Sequence, residues 1–418
     1  MRRSQASSPT PSSFERSRVR ADFQVDPDLS EFECAIVDTA HRFARDIAHP
    51  AGIKMDRSEP EAILSNDSPY WGAFAKFREL GLNLRETSQG LPAKEAARLK
   101  FLVHEELGWG DLGLGWSFYA AQFPAALAEA FGRSDLAEQF TYDQIGCWGI
   151  TEPNHGSDML DFTHSLAPPE IGGSKSNCVV AKKGNKLIIN GQKSAWVSNG
   201  SIAETMSLFC RYDEGSGKPN RGAFLVPLNL PGINKSRPIR KLGVRSLTDS
   251  EIYFDNVELP LSHLVCEGEV YTQTLAGVLI NANPGMAIFI VGLARHAFEL
   301  ALRYAKERTQ GGRRIFDHQA VRLKLFEMYR KINAARALAR HVLLVHAGNP
   351  SPQFQLAVSA KVTGTQMALE VTNAAFEIFG GNAQTSEYPV EKLVRDARLG
   401  TIADGTNDVL SLMAASHF

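Results

Sequence analysis

The sequence predicts an α+β fold in three parts: a helical first third, a β-rich middle module and a helical remainder. Three observations carry that prediction. Apolar residues recur at helical spacing up to about residue 145, short β-branched and aromatic runs then alternate with turn signals, and four long helical stripes follow Pro260. The boundaries fall at a tail over 1–25, a helical domain over 26–146, a β module over 147–262 and a helical bundle over 263–418.

The first helix is expected from Phe32, through Ile36, Val37, Ala40, Phe43, Ala44 and Ile47, with Pro50 as its stop. A second runs from about Trp71 to Leu80, ended by Gly81, a third from Lys94 to about Leu107, and a fourth, rich in alanine, from Trp116 to Phe131. In the middle module, Val179–Val180, Leu187–Ile189, Met206–Tyr212, Ala223–Val226 and Ile252–Phe254 read as strands without intervening helices. Five or six strands at such short intervals point to an antiparallel barrel or sandwich. The last part reads as helices over Met286–Arg308, His318–Ala347, Gln353–Phe379 and Val390–Ala415, joined by short Gly-containing loops, which suggests an antiparallel four-helix bundle.

Composition narrows the function classes. A net charge of -1 with mixed signs leaves no electrostatic footprint for nucleic acid or a membrane surface. The five cysteines lie far apart, with no CxxC pair and no ligand spacing for a metal, so reduced thiols and no metal are expected. No uninterrupted apolar run reaches the roughly 18 residues of a membrane helix. Residues 1–20 carry five Arg and six Ser against the single acid Glu15, the composition of a disordered tail. A cytoplasmic location is expected; Pro9 and Pro11 weigh against the amphipathic helix of an organelle transit peptide, which is the alternative.

Four stretches can carry chemistry. Cys147-Trp-Gly-Ile-Thr-Glu-Pro-Asn-His-Gly-Ser-Asp158 reads as a strand ending in a loop, where Thr151, Ser157 and free amides could grip a flat phosphorylated heterocycle with Trp148 as a wall. An ordinary strand-to-turn segment is the competing explanation. Trp196 and Ser198, two residues apart on one strand face, could cover a ring and bond its polar edge, or merely supply one buried aromatic. Arg308 and the Gly311-Gly312-Arg313-Arg314 that follows suit a diphosphate or simply a helix C-terminus. Asp404 stands beside Gly405 in an apolar helical segment; a carboxylate there is costly unless used, so it is either a general base or a cap.

Taken in order, these pieces resemble the acyl-CoA dehydrogenase superfamily of flavoproteins from about residue 30 onward. Thr151-Glu-Pro-x-x-Gly-Ser-Asp158 is similar to the family's flavin loop, and Asn190-Gly-x-Lys with Trp196-Val-Ser-Asn-Gly200 to its second flavin strand. Lys241-Leu-Gly-Val-Arg245, Tyr304-Ala-x-x-Arg308, Glu387-Tyr-Pro-Val-Glu391 and Gly405-Thr406 follow in the family's order. The resemblance implies a helical domain, a middle β-barrel domain and a carboxyl-terminal four-helix bundle. It also implies FAD held by Trp148, Thr151, Ser157, Trp196 and Ser198, with Glu377, Gly381 and Thr406 as further contacts. Arg308, His318 and Gln319 match positions that reach a neighbouring subunit's FAD, so a homodimer or homotetramer is implied. The implied reaction is α,β-dehydrogenation of an acyl thioester on CoA or a carrier protein, with Asp404 as base and an electron-transfer flavoprotein or O2 as acceptor. Phe118, Tyr119, Gln122, Phe123 and Ala403 are the expected pocket.

The chain departs from the family pattern at that base. The family's usual residue is glutamate, and Asp404 falls short by about 1.5 Å, one carbon bond length. The tyrosine that usually precedes it is Ala403, the Phe-Asp-x-x-Arg motif is replaced around Ile280–Asn283, and Gly311 stands where a phenylalanine is expected. Room for a bulky or cyclic substrate, or for oxygen, keeps a flavin oxygenase or oxidase as the alternative, and a flavin-bound scaffold without turnover as a third reading.

Overall fold

The computed structural model describes residues 29–163, 165–166, 176–217 and 220–418; the tail expected over 1–25 lies outside them. The chain opens on α1 (Glu31–Phe43), where Ser30 and Glu33 form a reciprocal capping box. Pro50 does not stop this helix. A π-helical turn over Ala44–Ala48 absorbs the proline's missing donor and leads into α2 (His49–Asp56), with Pro50 in its first turn. Next come α3 (Pro69–Glu79) and α4 (Ala93–Gly110). The expected Trp116–Phe131 helix is two helices, α5 (Leu112–Ala121) and α6 (Phe123–Ala130), because Pro124 cannot continue a preceding turn. A short α7 (Ser134–Ala137) precedes the sheet.

The middle module holds β1 (Gly146–Gly149), β2 (Cys178–Lys183), β3 (Lys186–Ser198), β4 (Thr205–Asp213), β5 (Asn220–Pro227), β6 (Ile233–Lys235), β7 (Asp249–Pro260) and β8 (Leu264–Glu267). Seven strands run in the order β6-β7-β3-β2-β4-β5-β8, with β1 added on β4. The sheet is mixed rather than wholly antiparallel. One edge of β4 carries β1 on Thr205–Leu208 and β2 on Arg211–Asp213, both parallel to it. The module also reaches past 262, since β8 pairs with β5.

The remaining chain is helical: α8 (Gly268–Glu307), α9 (Gln319–His346), α10 (Phe354–Phe379), α11 (Val390–Gly400) and α12 (Asn407–Ala415). α8 begins 18 residues before the expected Met286, and Pro284 lies inside it. Contrary to the expectation from uninterrupted runs, α8 is long and apolar enough to span a membrane. Since 72% of its most apolar stretch is buried inside the protein, α8 is a core helix. It packs against α4 at backbone contact, as two glycines require. A Cβ at Gly108 would stand 1.9 Å from the Phe289 carbonyl oxygen, and one at Gly292 would stand 2.0 Å from that of Glu105.

The expected Val390–Ala415 helix is interrupted. Asp404 (φ 53°) and Gly405 (φ 100°) occupy the left-handed region, which closes α11 and lets Thr406 cap α12 through its Oγ, accepting from Val409 N at 3.4 Å. Buried polar links fasten the three parts. Asp111 accepts from Leu114 N (2.9 Å), from Lys392 Nζ on α11 (2.7 Å) and from Ser246 Oγ in the sheet module. Asn199 donates to the carbonyls of Ser117 (2.9 Å) and Gly146 (3.2 Å).

Candidate functional site

A cavity of about 1200 Å³ opens where the three parts meet. It is lined by α4–α6, the loop after β1, the end of β3, α8 and the turn between α11 and α12. Its floor is built by the loop after β1. Lys193 on β3 is fully buried and donates to Glu152 Oε1 (2.7 Å) and to the Ile150 carbonyl (2.9 Å), while Glu152 Oε2 accepts from Asn177 N (2.6 Å). Ser194 N donates to the Thr151 carbonyl (3.0 Å). A buried charge pair is costly unless its remaining lone pairs are met, and here they are, so the loop is fixed on β3.

β3 carries an irregularity between Lys193 and Val197, whose partners on β7 are Ile252 and Ser250. Three residues on one strand, Ser194, Ala195 and Trp196, therefore face one on the other, Glu251, and the extra length turns Trp196 outward. Its indole is 59% exposed, an uncovered aromatic at the cavity wall. Trp148 meets Phe209 edge-on at 5.8 Å and Phe123 at 5.4 Å. Its Nε1 is a buried donor without a partner, the kind of group a ligand oxygen or nitrogen would satisfy.

Opposite lies the turn that carries Asp404. Burial raises the Asp404 pKa, and Lys361 on α10 opposes the rise. Lys361 is itself fully buried and donates to the Gly405 carbonyl at 2.6 Å; burial brings its pKa down to about 8, against the pull of Asp404. Ser157 Oγ accepts from Thr406 N at 3.2 Å, so the loop after β1 touches this turn directly.

Of the residues expected from sequence, Trp148, Thr151, Ser157, Trp196, Ser198, Tyr119, Gln122, Phe123, Ala403 and Asp404 all line the cavity. Thr406 adjoins it through Ser157. Phe118 does not belong to the pocket: it is fully buried, 4.7 Å from Phe77 and 5.6 Å from Phe74 in ring-centroid distance, because the α5 face it occupies packs on α3. Arg308, His318, Gln319, Glu377 and Gly381 do not line the cavity either. They face outward at one end of the bundle, where His318 Nε2 donates to the Gln310 carbonyl (3.2 Å), His318 Nδ1 accepts from Arg313 (3.2 Å) and Glu377 pairs with Lys324. Sequence reasoning missed Lys361, and it quoted Glu152 and Lys193 as motif positions without their pairing. Lys361 had a legible signal, a lone cation in the apolar stripe of α10, which is the same argument that singled out Asp404.

No group of three or more His, Cys, Asp or Glu side chains suited to a metal occurs among the described residues. A flat aromatic cofactor fits the cavity better: an uncovered indole, an unpartnered indole donor, the hydroxyls of Thr151, Ser157 and Ser198 and a backbone loop converge on it.

Comparison with known proteins agrees. The family model for the acyl-CoA dehydrogenase C-terminal domain matches residues 275–418, and that for the middle domain matches 147–257. Benzylmalonyl-CoA dehydrogenase of Aromatoleum aromaticum is 30% identical over 407 residues, covering 94% of this chain and 99% of that protein. Among solved structures, butyryl-CoA dehydrogenase from Megasphaera elsdenii superposes with a TM-score of 0.80 at 25% identity, covering 94% of this chain and 99% of that one. Glutaryl-CoA dehydrogenase from Mycobacterium smegmatis gives 0.78 at 26%, covering 96% and 97%.

Proposed function

Since the chain belongs to the acyl-CoA dehydrogenase family, we propose that it oxidises the α,β carbon–carbon bond of an acyl-CoA thioester, with Asp404 taking the α-proton. The observation that carries this reading is the position of the Asp404 carboxylate on the cavity wall, sharing one space with Trp148, Thr151, Trp196 and Ser198. FAD is the cofactor of this family and, when bound, supplies the hydride acceptor. Trp148, Thr151, Trp196 and Ser198 are the side chains that would hold its ring system, with Ser157 near its pyrophosphate and the thioester. Arg308, His318, Gln319, Glu377 and Gly381, facing outward, are assigned to the FAD of a neighbouring subunit in a homodimer or homotetramer.

The protein's own part in the reaction is proton removal and positioning. A carboxylate is a stronger base when poorly solvated, and burial of Asp404 acts in that direction. The charge of Lys361 opposes the rise of the carboxylate's pKa. Asp404 is one methylene shorter than glutamate, and its left-handed backbone is a conformation that aspartate tolerates better than most residues. The Lys361 bond to the Gly405 carbonyl fixes that turn, so the shorter side chain starts from a defined point.

The test is the visible spectrum of the yellow holoenzyme mixed anaerobically with short, branched, aromatic and cyclic acyl-CoA esters, then opened to air. Bleaching with slow reoxidation is expected, with an electron-transfer flavoprotein as natural acceptor. Fast reoxidation yielding peroxide or an oxygenated product would instead assign an oxygenase or oxidase. Absence of bleaching by every thioester would refute the reading.

A further inference from the structure

Three cations line the cavity, and two are neutralised. Arg85 pairs with Glu129 (2.7 Å), and Lys241 with Asp249. Lys100 on α4 is the third, and no carboxylate meets it among the described residues; its ammonium instead sits 5.2 Å from the centre of the Tyr119 ring. One turn along the same helix face, His104 also lines the cavity. It is 94% buried, stacked on Phe289 at 4.4 Å and edge-on to Tyr119 at 5.4 Å, and its Nδ1 is buried with no partner. Tyr119, half-buried, lines the same wall.

A cation, an imidazole and a phenol thus share one stretch of wall, with no protein acceptor for any of them among the described residues. Lys100 and Tyr119 are half-buried, but a buried polar atom left without a partner, as His104 Nδ1 is, is uncommon, since it costs about 1–3 kcal/mol. Burial, and then Lys100, push the His104 pKa well below its ordinary value, so the imidazole is neutral and donates one N–H. The wall offers one positive charge and neutral donors, which is complementary to a single anionic oxygen pair. Water would satisfy the same donors in an empty cavity, but it would not complement the charge of Lys100.

Resting on the acyl-CoA reading above, we infer that Lys100, His104 and Tyr119 form a subsite for a carboxylate carried by the acyl group away from the thioester. The substrate class is then a carboxyacyl-CoA, the mono-thioester of a dicarboxylic acid. Lys100 supplies the charge, while His104 and Tyr119 orient the carboxylate with their hydrogens. Phe289 backs the site, held close by the tight α4–α8 packing.

The experiment uses the FAD-loaded enzyme and pairs of acyl-CoA esters of matched length, one ending in carboxylate and one in methyl. Rates of anaerobic flavin bleaching are measured, and calorimetry follows binding of the corresponding CoA thioethers. The expected result is a preference of at least about tenfold for the carboxylate member in both readouts. K100M should bring that ratio to about one, and K100R should restore much of it. CoA is common to both members of each pair, so equal losses in K100M would assign Lys100 to the CoA phosphates and overturn the subsite. Preference for the methyl member would overturn it too, while leaving the dehydrogenase reading intact. Bleaching by no thioester at all would refute that parent reading and the subsite together.

Discussion

Replacing Lys361 by methionine separates stability from catalysis at the base. The native lysine folds at a cost: a fall of its pKa from 10.5 to about 8 corresponds to ~3 kcal/mol against the charged form. Against this stands its bond to the Gly405 carbonyl, a charged hydrogen bond contributing about 1.5–3 kcal/mol. The two nearly cancel, so K361M should shift the melting temperature by only a few degrees. Its effect on Asp404 has no such offset. Lys361 is the charge that opposes the rise of the carboxylate pKa on burial, and loss of an opposing charge is worth roughly one pH unit. Asp404 must be ionised to take a proton, so without Lys361 the acid limb of the kcat/KM profile should move upward by about one unit. Activity near that limb should fall about tenfold, whereas above pH 8, where native Lys361 is itself losing its proton, mutant and native rates should converge. The assay is kcat/KM from pH 5 to 10 with a dye acceptor, alongside thermal melts. An unmoved limb would refute this account of the base, whatever happened to stability.

Asp404→Asn should keep the yellow colour and lose at least about a thousandfold in the reductive rate, as loss of a general base requires; an active variant would place the base elsewhere. Asp404→Glu should bind FAD yet react roughly ten- to a hundredfold more slowly, because the longer side chain displaces the oxygen by about 1.5 Å; a faster variant would mean the native base is too short. Asp111→Ala should lower stability by about 3–5 kcal/mol in denaturant melts, since it removes the buried acceptor of Leu114 N, Ser246 Oγ and Lys392 Nζ and leaves Lys392 with Asp396 alone. Because the folded Lys361 pKa is depressed, the unfolded chain holds more protons between about pH 8 and 10.5, so native stability should gain from this group over that window. K361M should lack that gain.

The sequence made the cavity's flavin side legible through local signals: Trp148, Thr151, Ser157, Trp196 and Ser198 lie in stretches whose turn chemistry and residue pairing are contiguous in the chain. The four later helices were equally legible as stripes, and three of them end within a residue or two of expectation. What was not legible depended on partners far away in sequence. Pro50 is harmless because the π-turn before it relieves the steric demand, and no periodicity displays that turn. Phe118 looked like a pocket residue because one helix can face two ways, and its partners Phe74 and Phe77 lie some forty positions earlier. The break at Asp404 hid inside an apolar pattern that continues on both sides of it. The parallel pairings of β4 arise from strand order, which alternation within a strand does not encode.

The single bond from Thr406 N to Ser157 Oγ joins the loop that would cradle the cofactor to the turn that carries the base. Any ordering of one must be felt by the other, and by thermodynamic reciprocity equally in both directions. A chain without its cofactor should therefore hold Asp404 more loosely, and a substrate that engages Asp404 should tighten the grip on the cofactor by the same factor. Assembly of the holoenzyme and readiness for proton transfer become one equilibrium, read from two ends.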